Sequence, residues 1–176
     1  MNAEAREQVL TPRVQEQAGA AQMRDFMTTF PTGVAVVTAL DLHDRPWGMT
    51  CTSLCSVTVE PPTLLVCLRD GGPTLRAVLD RQAFAVNLIR QDSRHTAQLF
   101  ASGRADRFQH IPWMLDADAA RPHLDSAHAH SVADCRVVRA DLLHDHWIVY
   151  GELIRISADT AAPPLLYGYR RYGHFD

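Results

Sequence analysis

The chain of 176 residues contains no lysine, and all 17 of its basic residues are arginine. Walker loops need a lysine on the phosphates, pyridoxal enzymes need one for the Schiff base, and serine–lysine hydrolases need one as the base. These three classes of catalyst are therefore excluded. The sequence also lacks the Gly-x-Ser-x-Gly motif of hydrolases and the Gly-x-Gly-x-x-Gly loop of Rossmann folds, so any nucleotide would be held by another device.

Cysteine pairs and long apolar runs are missing as well. The four cysteines show no Cys-x-x-Cys spacing, and three of them lie in apolar, strand-like segments, which predicts buried thiols. No apolar run is long enough to cross a bilayer, and residues 1–24 lack the apolar core of a signal peptide. We therefore expect no membrane contact and a reducing, cytoplasmic location.

A large excess of charge of one sign is absent, since 17 arginines against 20 acidic residues give a net charge of −3. This balance offers no basic surface for nucleic acid, although the aromatic and arginine-rich tail at 167–175 is typical of some single-strand-binding segments. Hydrophobic residues make up 47% of the chain, and its length suits one folded domain. We predict a polar extension over residues 1–20 and a single domain over residues 21–176.

Hydrophobic periodicity predicts a mainly β protein. Apolar positions at helical spacing indicate a helix over 21–30, and two short helices are expected after Gly72–Pro73 and from Asp92 or Ser93 to Gly103. Residues 104–130 show no period, which predicts a long surface loop. Strand-like segments lie at 34–40, 47–59, 64–68, 84–89, 132–143 and 147–156. This strand count, with hairpin-like connections, favours an antiparallel barrel or sandwich.

The segment 48–62, GMTCTSLCSVTVEPP, resembles the motif of the flavin reductase-like, FMN-binding split-barrel family. An ordered series of further matches spans roughly residues 21 to 175 and is more specific than any single motif. The matches are FPTGV at 30–34, FAVNL at 84–88, FASG at 100–103, DRF at 106–108, PLLY at 164–167 and RYG at 171–173. The resemblance implies a mainly β fold, namely a split β-barrel with small helices and Greek-key topology, assembled as a homodimer.

The same resemblance implies the activity of an NAD(P)H:flavin oxidoreductase. Such an enzyme transfers a hydride from NADH or NADPH to FMN or FAD and supplies reduced flavin to a separate monooxygenase. The two nucleotides carry the chemistry, and the protein contributes by holding their rings in place. The alternative is a split-barrel protein that binds flavin or another small ligand without catalysis. An oxidase of the pyridoxine-phosphate type is disfavoured because no lysine is available for the substrate phosphate.

Positions that match the family motif are expected to hold the flavin. An isoalloxazine needs an apolar slot with short hydrogen-bonding groups at its rim, and its phosphate needs N–H donors and positive charge. The phosphate candidates are Arg69, the Gly71–Gly72 backbone, Thr74 and Arg76. The complete flavin-binding set is Thr50, Cys51, Thr52, Ser53, Ser56, Cys67, Leu68, Arg69, Thr74, Phe100, Ala101 and Gly103. The competing interpretation is that alternating Thr and Ser mark a half-exposed strand and that Arg69 is solvated.

The candidate catalytic residue is His146, within the tripeptide His144–Asp145–His146. Related reductases carry Gly-Asp-His here, and their histidine lies near the nicotinamide. If the turn needs a positive φ at residue 144, histidine in place of glycine costs roughly 1 kcal/mol. Arg107, Phe108 and Tyr172 are expected to complete the nicotinamide site, although Tyr172 would equally suit dimer packing. Five of the nine histidines lie between 123 and 146 without metal-ligand spacing, so we expect no metal site.

Overall fold

The computed structural model describes residues 18–116, 118 and 120–174. Their elements follow the chain as α1 (Ala20–Thr28), β1 (Thr32–Gly33), β2 (Ala35–Leu40), β3 (Pro46–Cys51), β4 (Leu54–Val59), β5 (Pro62–Arg69), α2 (Pro73–Arg81), β6 (Ala83–Ile89), α3 (Arg94–Ala101), a 3-10 turn (Arg107–Gln109), β7 (Trp113–Leu115), β8 (Pro122–Leu124), β9 (Ala129–Leu143), β10 (His146–Ala158), β11 (Leu166–Gly168) and β12 (Arg171–Gly173). The mainly β prediction and all three helices are confirmed.

Seven strands form one antiparallel sheet in the order β3-β2-β6-β9-β10-β5-β4. Its two edge strands, β3 and β4, are consecutive in the chain and are joined through Thr52 and Ser53. This two-residue connection holds one end of β3 beside one end of β4, so the sheet curls into a barrel. The Cys67 amide donates to the Ser53 carbonyl at 3.2 Å and extends the β4–β5 pairing to the connection. Smaller sheets of β1-β11-β12 and β7-β8 flank the barrel.

The core lies on both sides of this curved sheet. Along β5, Leu64, Val66 and Leu68 are buried and alternate with half-exposed neighbours, because successive side chains of a strand point to opposite faces. They pack in a cluster with Phe84 and residues of α2. A second cluster forms between β2, α3 and the β11 region. Helix α2 therefore covers one open side of the barrel, and α3 covers another.

The predicted continuous strand over 47–59 is wrong in one respect. The chain leaves the sheet at Thr52–Ser53, so that β3 pairs with β2 while β4 pairs with β5. Residue preferences along this segment favour strand throughout, and they carry no information on where a strand changes partner. This break places two hydroxyl side chains at the seam of the barrel.

The prediction of a surface loop over 104–130 is also wrong in part. Arg107, Ile111 and Leu124 are buried, and short strands β7 and β8 pair within the segment. The buried side chains of Asp116 and Arg121 form an ion pair at 3.0 Å. Burial acts to raise the pKa of Asp116, but hydrogen bonds from Arg121 and Ala120 outweigh it and hold the pKa below its usual value. The segment shows no hydrophobic period because buried polar residues interrupt it, and Asp116 and Arg121 satisfy each other inside the fold.

The prediction of buried thiols is confirmed for two of the four cysteines. Cys51 and Cys135 are buried, Cys67 is half-buried, and Cys55 is exposed on the edge strand β4; all four are free thiols.

Ser93 occupies the position before α3 as predicted, although its hydroxyl donates to the Ala127 carbonyl instead of capping the helix. Most of the predicted polar extension falls outside the described residues, and the domain division stays a prediction.

Two properties of the described residues bear on ligands and membranes. Three or more metal-ligating side chains gather nowhere among them in a group suited to a metal ion. Their helices are all too short or too polar to cross a bilayer.

The β9–β10 hairpin turn has the strained conformation anticipated for it. His144 adopts a φ of 55°, a region that glycine occupies without the cost imposed by a Cβ atom. We therefore expect His144→Gly to raise the free energy of unfolding by roughly 0.5–1 kcal/mol, net of the greater freedom of glycine in the unfolded chain. Urea denaturation measures this change; a destabilised variant would show that His144 makes contacts that outweigh its backbone strain.

Candidate active site

A cavity of about 360 Å³ lies between β3, the start of α2 and the end of α3. We call it the α2–α3 cavity. It brings together five residues predicted to bind flavin from three distant parts of the sequence. These residues are Thr50, Thr74, Phe100, Ala101 and Gly103. Met49, Gly72, Pro73 and Arg107 complete its lining.

Close contacts fix β3 against α3 beside this cavity. The Thr50 hydroxyl donates to the Ala97 carbonyl at 2.6 Å. Gly48 faces two rings, and a Cβ atom added there would lie 2.8 Å from the Phe100 ring and 3.2 Å from the Phe108 ring. Arg107 donates from Nη1 to the carbonyls of Gly48 and Phe100 at 2.6 and 3.1 Å. The cavity wall is therefore held rigidly by packing and by hydrogen bonds.

A larger groove of about 860 Å³ lies between α1 and the outer face of β4 and β5. We call it the α1 groove. Thr52, Ser53 and Cys67, all predicted flavin-binding residues, line its floor, and the residues that sequence reasoning missed form its walls. The missed residues are Arg24, Met27, Thr28, Phe30, Thr32, Leu54, Cys55, Leu65, Tyr167, Gly168 and Arg170.

Helix α1 contributes the apolar side of this groove although none of its residues is buried. The helix is held at its C-terminal end, where the Tyr169 amide donates to the Thr28 carbonyl at 2.6 Å and Arg170 pairs with Asp25 at 3.0 Å. The helical spacing of Met23, Phe26, Met27 and Phe30 indicated an amphipathic helix. It could not show that Met27 and Phe30 line a groove instead of the core, because periodicity defines a face and not its partner.

The segment Thr50–Ser53 connects the two cavities. Thr50 lies in the α2–α3 cavity and Thr52 lies in the α1 groove, two residues or about 7 Å apart along an extended chain. The side chain of the intervening Cys51 points into the core, and burial raises the pKa of its thiol to about 11. Cys51 is therefore left with its backbone alone as a group that could meet a ligand.

Three other predicted flavin residues lie outside both cavities. Leu68 is fully buried in the core, Ser56 is exposed on β4, and Arg69 is exposed at the end of β5. The phosphate candidate Arg76 is exposed too, and it pairs with Asp80 at 3.6 Å. The structure thus separates the predicted set into residues that line a cavity and residues that do not.

His146 lies at the first position of β10, opposite Arg69 of β5. Its side chain is about half-exposed, and Nδ1 lies 2.9 Å from a carboxylate oxygen of Asp145. That side-chain hydrogen bond, with the attraction of the imidazole, lowers the pKa of Asp145. The Asp70 amide donates to the Asp145 carbonyl at 2.9 Å and the Trp147 indole donates to the Asp70 carboxylate at 2.8 Å. These bonds fix the turn close to the chain segment that continues to Gly72 at the α2–α3 cavity.

The remaining nicotinamide candidates do not gather around His146. The Phe108 ring packs edge-on against Phe100 and Trp113, with centroids 5.1 and 5.5 Å apart. The Tyr172 ring packs against Tyr167 at 5.2 Å, and Arg94 lies over it at 5.4 Å. Arg107 lies in the α2–α3 cavity with the flavin candidates. The nicotinamide assignments stay predictions.

Comparison with known proteins decides the family. The family model described as Flavin reductase like domain matches residues 27–176. The chain belongs to this flavin reductase-like family. A flavin reductase (NADPH) from Lentzea aerocolonigenes is 44% identical over 153 residues, which cover 87% of this chain and 88% of that protein. The reductase component of an FADH(2)-dependent resorcinol hydroxylase from Rhizobium sp. is 35% identical over 153 residues, covering 85% and 83%.

A solved flavin reductase shares the architecture described above. The NADH:FAD oxidoreductase SgcE6 of Streptomyces globisporus, in complex with NAD and FAD fragments, has a TM-score of 0.82 at 29% identity and covers 89% of this chain and 92% of its own. This likeness confirms the split-barrel prediction. The flavin reductase-like chain also carries donors that suit a flavin, because the α2–α3 cavity offers hydroxyl and amide groups and the adjoining α1 groove offers apolar walls.

Proposed function

We propose that this protein is an NAD(P)H-dependent flavin reductase that acts on FMN or FAD. The proposal is supported by the course of the Thr50–Ser53 segment, in a chain of the flavin reductase-like family. This segment runs from a cavity lined by Arg107 and the start of α2 to a groove lined by Met27, Phe30 and Tyr167. A flavin suits this arrangement, since its flat apolar ring system is joined through a hydroxylated chain to a phosphate. The ring would lie along the groove, and the phosphate would lie in the cavity.

The protein's own contribution is binding and orientation. The backbone and hydroxyl groups of Thr52 and Ser53 lie at the groove floor, where they would hydrogen-bond the polar edge of the ring. Met27, Phe30 and Tyr167 would exclude water from its face. When bound, the flavin accepts a hydride from the nicotinamide. We assign His146 the task of positioning the nicotinamide because of its place in the sheet. It lies opposite Arg69 at the end of β5, the strand whose Cys67 amide donates to the Ser53 carbonyl.

Delivery of reduced flavin to a separate monooxygenase is part of the proposal. It is supported by the relative that is the reductase component of a resorcinol hydroxylase.

We also propose a homodimer, since the strands at one side of the barrel expose Val57, Val59, Ile154 and Ile156 to solvent, and large apolar patches mark interaction surfaces. A cytoplasmic location agrees with four free thiols, because exposed cysteines persist in reducing compartments.

One assay tests the activity. The purified protein is mixed with NADH or NADPH and with riboflavin, FMN or FAD, and the loss of pyridine-nucleotide absorbance is followed in air. We expect oxidation of at least one nucleotide that depends on both protein and flavin. Flavin binding without nucleotide oxidation would overturn the proposed enzyme and favour a non-catalytic flavin-binding protein.

Replacing His146 with alanine tests its role. We expect turnover of the nicotinamide nucleotide at saturating flavin to fall roughly 10- to 100-fold, since misplaced reactants lose rate on this scale. Flavin affinity should stay within about twofold, because His146 lines neither flavin cavity. His43→Ala is the matched control, as His43 is also exposed in a hairpin turn. Unchanged turnover in His146→Ala would remove this residue from the site.

A further inference from the structure

Arg107 is a buried cation without an anionic partner. Arg107 is only 7% exposed, and Arg121 is exposed to the same extent. Arg121 pairs with Asp116 at 3.0 Å, whereas Arg107 forms no ion pair with any carboxylate in the described part of the chain. Burial lowers the pKa of Arg107. Because an isolated buried charge is unfavourable, the location of Arg107 calls for a counter-charge.

Backbone carbonyls satisfy only part of the guanidinium. Nη1 donates to Gly48 and Phe100, and Nε donates to the Arg104 carbonyl. These bonds use three of the five N–H donors of an arginine. Within residues 18–116, 118 and 120–174, Nη2 has no protein acceptor, and it is not sealed from solvent. Arg107 lines the α2–α3 cavity, so its free donors are available to a ligand there.

The other walls of the cavity also suit an anion. Helix α2 has nine residues and begins at Pro73 beside the cavity, with Gly72 at its N-cap. The first amides of a helix lack partners within it, and the helix dipole places positive charge at this end. Asp and Glu are absent from the cavity lining. A buried, uncompensated arginine and a helix N-terminus therefore border the same space.

We propose that Arg107 supplies the counter-charge for the flavin phosphate in the α2–α3 cavity. This inference rests on the proposed flavin-reducing function. It moves Arg107 from the nicotinamide site to the flavin site and replaces the exposed residues Arg69 and Arg76 as the source of positive charge. The same donors would suit the pyrophosphate of a nicotinamide dinucleotide, and the experiment below separates the two phosphates.

The primary test compares FMN with riboflavin, which has the same ring system and no phosphate. Dissociation constants are measured from flavin fluorescence for the wild type, Arg107→Gln and Arg107→Lys. We expect Arg107→Gln to weaken FMN binding roughly 10- to 100-fold, the scale of lost charge-assisted hydrogen bonds, and to leave riboflavin within about twofold. Arg107→Lys should restore part of the FMN affinity. Arg136→Gln is the control, since Arg136 is exposed on β9 and pairs with Glu152.

A second pair of variants keeps the proposal testable if Arg107→Gln folds poorly. Ala101 is exposed at the end of α3 and lines the cavity. Ala101→Glu adds a negative charge there, while Ala101→Gln adds a neutral side chain of the same shape. We expect FMN to bind Ala101→Glu at least roughly 10-fold more weakly than Ala101→Gln, with riboflavin equal in the two. Thermal denaturation establishes that both variants are folded.

Several outcomes would overturn the assignment of Arg107. Equal wild-type affinities for FMN and riboflavin would do so, as would equal losses of both flavins in Arg107→Gln and in the Ala101→Glu and Ala101→Gln pair. A raised KM for NADH with riboflavin as acceptor, without a loss of FMN affinity, would assign the cavity to the dinucleotide instead. Failure of the proposed function is distinct, because the wild type would then bind flavin without oxidising a nicotinamide nucleotide or would bind neither.

Discussion

Replacing Asn87 with leucine is expected to lower the free energy of unfolding by about 3–5 kcal/mol. Asn87 is fully buried on β6. Its amide donates to the Val36 carbonyl and to the Thr38 hydroxyl, both at 3.0 Å, and its carbonyl accepts from the Leu124 amide at 2.8 Å. Leucine has a similar shape and would leave these groups buried without partners, each at a cost of roughly 1–3 kcal/mol.

The Asn87 prediction is checked by urea denaturation of Asn87→Leu and of Thr38→Val. The Thr38 hydroxyl also donates to the Pro122 carbonyl, so the two side chains together tie β2 and β6 to the β8 segment. The double variant should lose less than the sum of the single losses, since the partners share a network. A loss below roughly 1 kcal/mol in Asn87→Leu would show that water or structural relaxation satisfies the groups left without a partner.

Replacing Gly151 with alanine is expected to destabilise the barrel by about 2–3 kcal/mol. Gly151 is buried on β10, and a Cβ atom there would lie 2.4 Å from Cζ of Phe84 and 3.0 Å from Cβ of Cys135. Both neighbours are fully buried, so neither ring nor backbone can withdraw freely from a close-packed core. The roughly 0.5–1 kcal/mol that alanine gains over glycine through the unfolded chain is too small to offset this clash.

Two variants test the cause assigned to Gly151. Gly33→Ala is the control, because nothing lies within 4 Å of the added Cβ atom, and its stability should equal or exceed that of the wild type. Phe84→Leu removes the ring atom that clashes, so Gly151→Ala should cost less in that background than alone. If the cost in the two backgrounds is the same, backbone pairing and not the ring contact explains the glycine.

The local order of the fold could be predicted from the residues because turn and periodicity signals are short-range. The β9–β10 hairpin, the helix after Gly72–Pro73 and the strand at Ala83–Ile89 all follow from such signals. The strained turn at His144 was anticipated from the glycine that resembled reductases carry there, and its φ of 55° confirms it. The change of partner strand at Thr52–Ser53 was not predictable, since it depends on pairing with β2 and β5.

The candidate ligand residues also divide into those that local signals indicated and those that depend on contacts between distant segments. Residue type and resemblance indicated that Thr50, Thr74 and Ala101 serve one ligand, and the structure places all three in one cavity. The sequence does not show which of Arg69 and Arg107 is buried. Their burial differs because the carbonyls of Gly48, Phe100 and Arg104 accept hydrogen bonds from the Arg107 guanidinium. The contact with Gly48 joins residues 59 positions apart, which no local pattern encodes.

The amino-acid sequence alone excludes lysine chemistry, indicates a chain built mainly of strands and carries the ordered motifs of a flavin reductase-like protein. The folded structure was needed to show that Arg107 lines the α2–α3 cavity, that Met27 and Phe30 of the α1 region line a groove, and where the barrel closes. The reason is physical. Side-chain periodicity specifies the inward face of each strand or helix, whereas the identity of the opposing surface arises from packing between segments far apart in the chain.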